Sequence, residues 1–185
     1  FVDYRDIAPS TIQALVATED VRFYEHSGID FRALLRAIVK RGVMGQKNAG
    51  GGSTITQQLA KQLYSETASS TMERLFQKPI EWVIAVRLER FYTKEEIISM
   101  YLNHFDFLHN AVGLKTAAKT YFGKEPNELT VNESALLIGL CKNPSFFNPV
   151  RFPERALERR NVVLGQMQKA GYITQAEVDS LSSQP

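Results

Sequence analysis

A single cysteine, Cys141, stands in 185 residues, so no internal disulfide can form, and its place in an apolar run predicts a buried, unreactive thiol. Histidine is nearly as scarce. His104 and His109 are five residues apart and share no helix face, and His26 stands beside acids without cysteine partners, so no histidine metal site is expected. No apolar stretch approaches the roughly 20 residues of a membrane-spanning helix. The N-terminus lacks a basic-then-apolar signal pattern and an initiator methionine, opening instead on Phe1-Val2-Asp3-Tyr4. An excised fragment of a longer, membrane-anchored protein is the expectation. Charge of one sign is also weak. A formal net charge of +2 gives no general nucleic-acid footprint, so no nucleic-acid partner is expected and any anionic ligand must be held locally.

What is present is the composition of an ordinary globular domain, 44% hydrophobic and 23% charged, read as a single domain over 1–185. Strand-like alternation and internal repeats are absent, while apolar positions recur at three- and four-residue spacing, which predicts an all-α fold. Three Thr-x-x-Glu capping boxes, Thr93 to Glu96, Thr130 to Glu133 and Thr174 to Glu177, mark helix starts near 94, 131 and 175. Pro9 and Pro153 suit first helical turns, opening helices at about 9–20 and 153–170, the second closed by Gly171. Further helices are expected at about 30–42, 53–65, 72–91 and 114–121. The stretch from Gly42 to Gly52 reads as a loop, and Gly51-Gly52-Ser53-Thr54 lacks the lysine of a P-loop.

Two acids lie among apolar neighbours. Ile12, Leu15, Val16 and Glu19 share one face of the first helix, and a carboxylate at the end of such a stripe is a candidate general base or acid. Pairing with Arg22, or reaching outward at the helix end, is the alternative for Glu19. Glu81 is the only acid in Ile80-Glu81-Trp82-Val83-Ile84-Ala85-Val86 and shares a face with Ile84, Ala85 and Leu88. A helix restarting at Pro79 would instead put Glu81 in a first turn, where the macrodipole favours a carboxylate. Paired acids on separate helices suit chemistry at a sugar anomeric carbon.

Gly52-Ser53-Thr54-Ile55-Thr56-Gln57-Gln58 through Lys61 reads as a glycine-rich loop entering a helix whose free N–H groups attract anions. Gln57 and Lys61, four apart, could present an amide and an ammonium to a phosphoryl oxygen, while Ser53 or Thr54 could equally be a plain helix cap. Arg74 and Lys78 could add charge near Glu81, or line a solvated face. The segment from Phe31 to Arg41 is apolar on one side and basic on the other, the composition of a helix lying on anionic lipid, although core packing fits the same pattern.

Taken together, these segments resemble the five signatures of family 51 glycosyltransferases. Glu19-Asp20-Val21-Arg22-Phe23-Tyr24-Glu25-His26-Ser27-Gly28-Ile29-Asp30 is similar to the first, Gly52 through Lys61 to the second, and Lys78-Pro79-Ile80-Glu81 to the third. Tyr101-Leu102-Asn103 with Gly113 and Tyr121-Phe122-Gly123-Lys124 resembles the fourth, and Glu133-Ser134-Ala135 through Asn148-Pro149 to Ala156-Leu157-Glu158-Arg159-Arg160 the fifth. The resemblance implies a lysozyme-like large lobe and a smaller, membrane-associating jaw at about 31–52. It implies that Glu19 is the base that deprotonates the sugar 4-hydroxyl of lipid II. That oxygen would attack C1 of the growing chain and displace undecaprenyl pyrophosphate with inversion. Lys61 would neutralise the leaving diphosphate. Glu81 would organise that site directly or through a divalent cation, Mg2+ or Mn2+, with no organic cofactor. Asp20, Arg22, Phe23, His26, Ser53, Thr54, Gln57, Gln58, Arg74 and Lys78 complete the expected substrate and pyrophosphate contacts. The implied setting is the outer face of a bacterial cytoplasmic membrane, with a transpeptidase domain on the same chain. Gln77, Pro79, Leu108 and Lys115 depart from the family pattern, and Arg74 is the expected substitute for an arginine missing at 77. A lysozyme-like hydrolase or lytic transglycosylase is the rival reading, but it has no use for Lys61 and a helix N-terminus near its acid.

Overall fold

The computed structural model describes residues 1–42, 52–64 and 71–185, the side chains of 40–42 and 71–76 excepted. Among these the all-α expectation is met: nine α-helices and two 3-10 helices, and no strand beyond an isolated bridge between Asp106 and Val112. In chain order the α-helices are α1 Pro9–Glu19, α2 Phe31–Gly42, α3 Ile55–Tyr64, α4 Thr71–Phe91, α5 Lys94–His104, α6 Leu114–Phe122, α7 Val131–Leu140, α8 Pro153–Lys169 and α9 Gln175–Ser182. The starts of α5, α7 and α9 carry the three predicted boxes in full. At each, the Thr hydroxyl accepts from the Glu N–H and the Glu carboxylate accepts from the Thr N–H. Pro9 and Pro153 open α1 and α8, where a missing N–H costs nothing.

The chain divides into two compact units, Phe1–Val21 with Leu102–Pro185, and Arg22–Tyr101. In the first, α1 lies against α7 and α8, which pack on each other, and α9 packs on α8. Leu15, Leu137, Ile138, Val163, Leu164 and Met167 are fully enclosed there. Small residues bring α1 close to α7: the hydroxyls of Ser10 and Thr11 each lie 2.8 Å from that of Ser134. The buried Arg160 donates to the carbonyls of Ser182, Gln184 and Pro185, answering the open carbonyl end of α9.

In the second unit α3 packs on α4 over Ile55, Leu59, Ala60, Ala85 and Leu88. Gly28 makes a close approach possible. Its φ is +95°, and a Cβ there would stand 2.9 Å from the carbonyl carbon and oxygen of Ala85, so only glycine lets this loop lie on α4. The helix expected to restart at Pro79 does not. α4 runs through Pro79 from Thr71, which puts Glu81 in mid-helix and removes the first-turn dipole explanation for its position. The departure at Leu108 falls in a loop that carries Leu108, His109 and Asn110, three successive residues at φ +67°, +52° and +61°. Bonds from Ala111 N–H to Leu108 C=O, Leu108 N–H to Asp106 and Tyr121 O–H to Phe107 C=O hold this left-handed run in place.

Candidate active site

Two groups of candidate residues emerge, one in each unit. In the first unit, Glu19 is the last residue of α1. The apolar stripe beneath it is buried as expected, and Asp20, also buried, caps the helix through its N–H to the Val16 carbonyl. The carbonyl end of a helix is a poor place for a negative charge. α8 supplies the answer: Arg159 Nη2 lies 3.7 Å from Glu19 Oε1, with the Glu19 side chain 16% exposed and that of Arg159 10%. Burial pushes the Arg159 guanidinium down from its usual range, and the charges of Glu19 and Cys141 oppose that shift. Cys141, the expected buried thiol, caps α7, and its Sγ donates to the Leu137 carbonyl.

In the second unit the loop after Val21 is tied down from within. Arg22 Nε pairs with Glu25 at 3.1 Å and with the buried Asp30 at 3.6 Å, and Asp30 caps α2 through the Ala33 N–H. His26 Nδ1 accepts from the Gly28 N–H. Phe23 is wholly enclosed, its ring edge-on to Tyr24 and His26 and covered by the Lys94 ammonium at 4.3 Å. Its role is to seat the loop. Lys94 also donates to the His26 carbonyl at 2.7 Å and to Glu89 at 2.8 Å, and Glu89 accepts from Thr56 of α3 at 2.6 Å. Lys94 and Glu89 thus bind the first signature to the second.

The helix cap that sequence allowed at Thr54 is present at the α3 start. Thr54 and Gln57 cap it reciprocally: the Thr54 N–H donates to Gln57 Oε1, and the Gln57 N–H donates to Thr54 Oγ1, both at 3.1 Å. Thr54 Oγ1 donates in turn to the Gly28 carbonyl at 2.7 Å. Gln57 is buried with its carbonyl oxygen engaged in this cap, whereas Lys61 one turn on is exposed. Of that pair, Lys61 is therefore the group open to an anion. Gln58 accepts from the Tyr101 hydroxyl, and Ser53 is half-buried just before the helix. On α4, Glu81 is buried and accepts from Lys78 Nζ at 2.8 Å, the lysine being half-exposed. The side chain of Arg74, and most of the Gly42 to Gly52 loop, lie outside the described residues. Among the described residues no group of three or more His, Cys, Asp or Glu could hold a metal ion by itself.

Sequence reasoning missed Arg159, Lys94 and Glu89 as working parts. The signal for Arg159 was available: Ala156, Arg159, Arg160, Val163, Leu164 and Met167 form the buried stripe of α8, so two arginines stand where apolar residues belong. The same spacing argument that singled out Glu19 applies to them.

Comparison with known proteins is consistent in direction. The family model described as Transglycosylase matches residues 1–168. The chain is 43% identical over 173 residues to penicillin-binding protein 1A of Escherichia coli, covering 94% of this chain and 20% of that protein. It is 42% identical over 176 residues to penicillin-binding protein 1F of Bacillus subtilis, covering 95% and 24%, and 43% identical over 185 residues to penicillin-binding protein 1A of Aquifex aeolicus, covering 100% and 25%. The chain thus spans a quarter or less of the length of these relatives.

Proposed function

We propose a glycan-polymerising reaction from the premise that this chain belongs to the Transglycosylase family, the glycosyltransferases of family 51. The substrate is lipid II, and the reaction extends a peptidoglycan strand. The sugar 4-hydroxyl oxygen of lipid II forms a bond to C1 of the growing chain as the bond from C1 to the diphosphate oxygen breaks, with inversion. The hydroxyl proton passes to Glu19 and then to solvent. Undecaprenyl pyrophosphate leaves carrying the electron pair.

The observation that carries this reading is the seating of Glu19, a half-buried carboxylate at a helix end beside a buried guanidinium. A hydroxyl nucleophile needs such a placed base, and a diphosphate leaving group needs positive charge more than a proton donor. Lys61 is the exposed cation after the capped α3 start that suits the diphosphate. Glu81 acts by fixing Lys78. The exposed apolar residues of α2 are the surface that meets the membrane carrying the substrate. In the full-length protein a transpeptidase domain is linked to this one, and the whole is anchored at the outer face of the cytoplasmic membrane.

The test is incubation of the purified domain with labelled lipid II in detergent. Wild-type protein yields lysozyme-sensitive polymer. Glu19→Gln binds lipid II but loses turnover by at least on the order of 100-fold; near-normal polymer from that variant rejects Glu19 as base.

A further inference from the structure

We propose that Arg159 is the positioning residue for Glu19, seated for that task by Gly139 and Phe147. The inference rests on the reading of Glu19 as the base. Three helices of the first unit meet around this guanidinium. It comes from α8, its Nη2 faces Glu19 of α1 at 3.7 Å, and its Nε donates to the Gly139 carbonyl of α7 at 3.4 Å. The Phe147 ring lies 5.8 Å from its central carbon. Gly139 also makes room. A Cβ at that position would stand 3.1 Å from Arg159 Cγ, so a larger residue makes the arginine stem give by a few tenths of an ångström.

A buried guanidinium is costly unless its charge is answered. The charged and titratable groups facing it are Glu19 from α1 and Cys141 at the end of α7. The pair therefore depends on each partner to justify the burial of the other. At 3.7 Å the contact lies beyond hydrogen-bond length, so it orients the carboxylate electrostatically without a tight two-pronged bond that would hold both oxygens against taking a proton.

The experiment compares Arg159→Met, Arg159→Lys, Gly139→Ala and Glu19→Gln in the same domain. Each is assayed for melting temperature, binding of labelled lipid II, and polymerisation rate across pH. In Arg159→Met, kcat falls on the order of 100-fold with lipid II affinity unchanged, because a base displaced by about 1 Å loses that much. The acid limb of its pH–rate profile moves to higher pH, since a charge favouring the ionised carboxylate has gone. Arg159→Lys restores part of the rate and returns the limb towards wild type. Gly139→Ala keeps the charge but shifts it, and lowers kcat by about tenfold. A folded Arg159→Met protein with wild-type kcat and pH profile overturns the proposal. So does a loss confined to lipid II affinity, which would make Arg159 a substrate ligand. Should Arg159→Met fail to fold, Arg159→Lys and Gly139→Ala decide: wild-type kcat in both rejects it. An active Glu19→Gln enzyme instead removes the base reading itself, a result separable from an inactive Glu19→Gln beside a normal Arg159→Met.

Discussion

Backbone conformation is where single residues weigh most in this chain. Leu108 holds φ +67°, a conformation that costs an L side chain about 1–2 kcal/mol. Leu108→Gly relieves that cost and gives back roughly 0.4–1 kcal/mol through a freer unfolded chain. The expected net is a stabilisation of about 1 kcal/mol, read as a raised urea midpoint at unchanged slope. Gly28 works in the opposite sense. Gly28→Ala must accommodate both φ +95° and a contact of 2.9 Å with the Ala85 carbonyl. A loss on the order of 3 kcal/mol is expected in the same assay, because backbone cannot step aside as a flexible side chain can. Charged residues on apolar stripes were readable from spacing, and Glu19 was found that way. Arg159 carries the same signature on α8, but spacing does not reveal that the two face each other, since that depends on how α1 packs on α8.

At the scale of the element, local chemistry decided most helix limits. The capping boxes at α5, α7 and α9 lie where Thr-x-x-Glu placed them, and the reciprocal Thr54–Gln57 cap is the Thr-x-x-Gln form of the same device. Thr130→Ala is expected to cost about 1 kcal/mol, measured by chemical denaturation. Burial would raise the Glu133 carboxyl, but bonds from Lys124 and from Thr130 outweigh it and hold the group below its ordinary value of 4.5. Its contribution is therefore complete above 4.5 and fades as pH falls through the depressed folded value. Glu133→Gln should be less stable than wild type at neutral pH, and the gap should close in acid; a gap constant with pH would show that the charge of Glu133 contributes nothing. Pro79 was the misleading signal. A proline removes one helical donor, yet α4 continues through it from Thr71 to Phe91.

For the molecule as a whole, the question raised by sequence was where the amphipathic segment at 31–41 turns its apolar side. α2 rests on its inner face, where a Cβ on Gly52 would touch Leu34 and Ala37. Phe31, Leu35 and Ile38 are 67%, 63% and 59% exposed, and Arg32 and Arg36 are exposed with them. Core packing does not account for these three side chains, and the proposed lipid contact is what gives them a use. Among the described residues no helix is long and apolar enough to cross a membrane. Leu35→Asp should weaken binding to anionic vesicles by on the order of tenfold or more, as measured by cosedimentation. Retained binding would place the lipid contact elsewhere.

Sequence by itself determined the all-α class, the starts of the capped helices, the two acids on apolar stripes and membership of the family, because these follow from period, local hydrogen-bonding chemistry and motif. Tertiary structure alone decided that Arg159 stands over Glu19, that Gln57 is engaged in a cap while Lys61 is exposed, that α4 passes through Pro79, and that the apolar stripe of α2 is uncovered. The physical reason is common to all four. A repeat of 3.6 residues fixes which side chains share a face of a helix, and carries nothing about what the rest of the chain lays against that face.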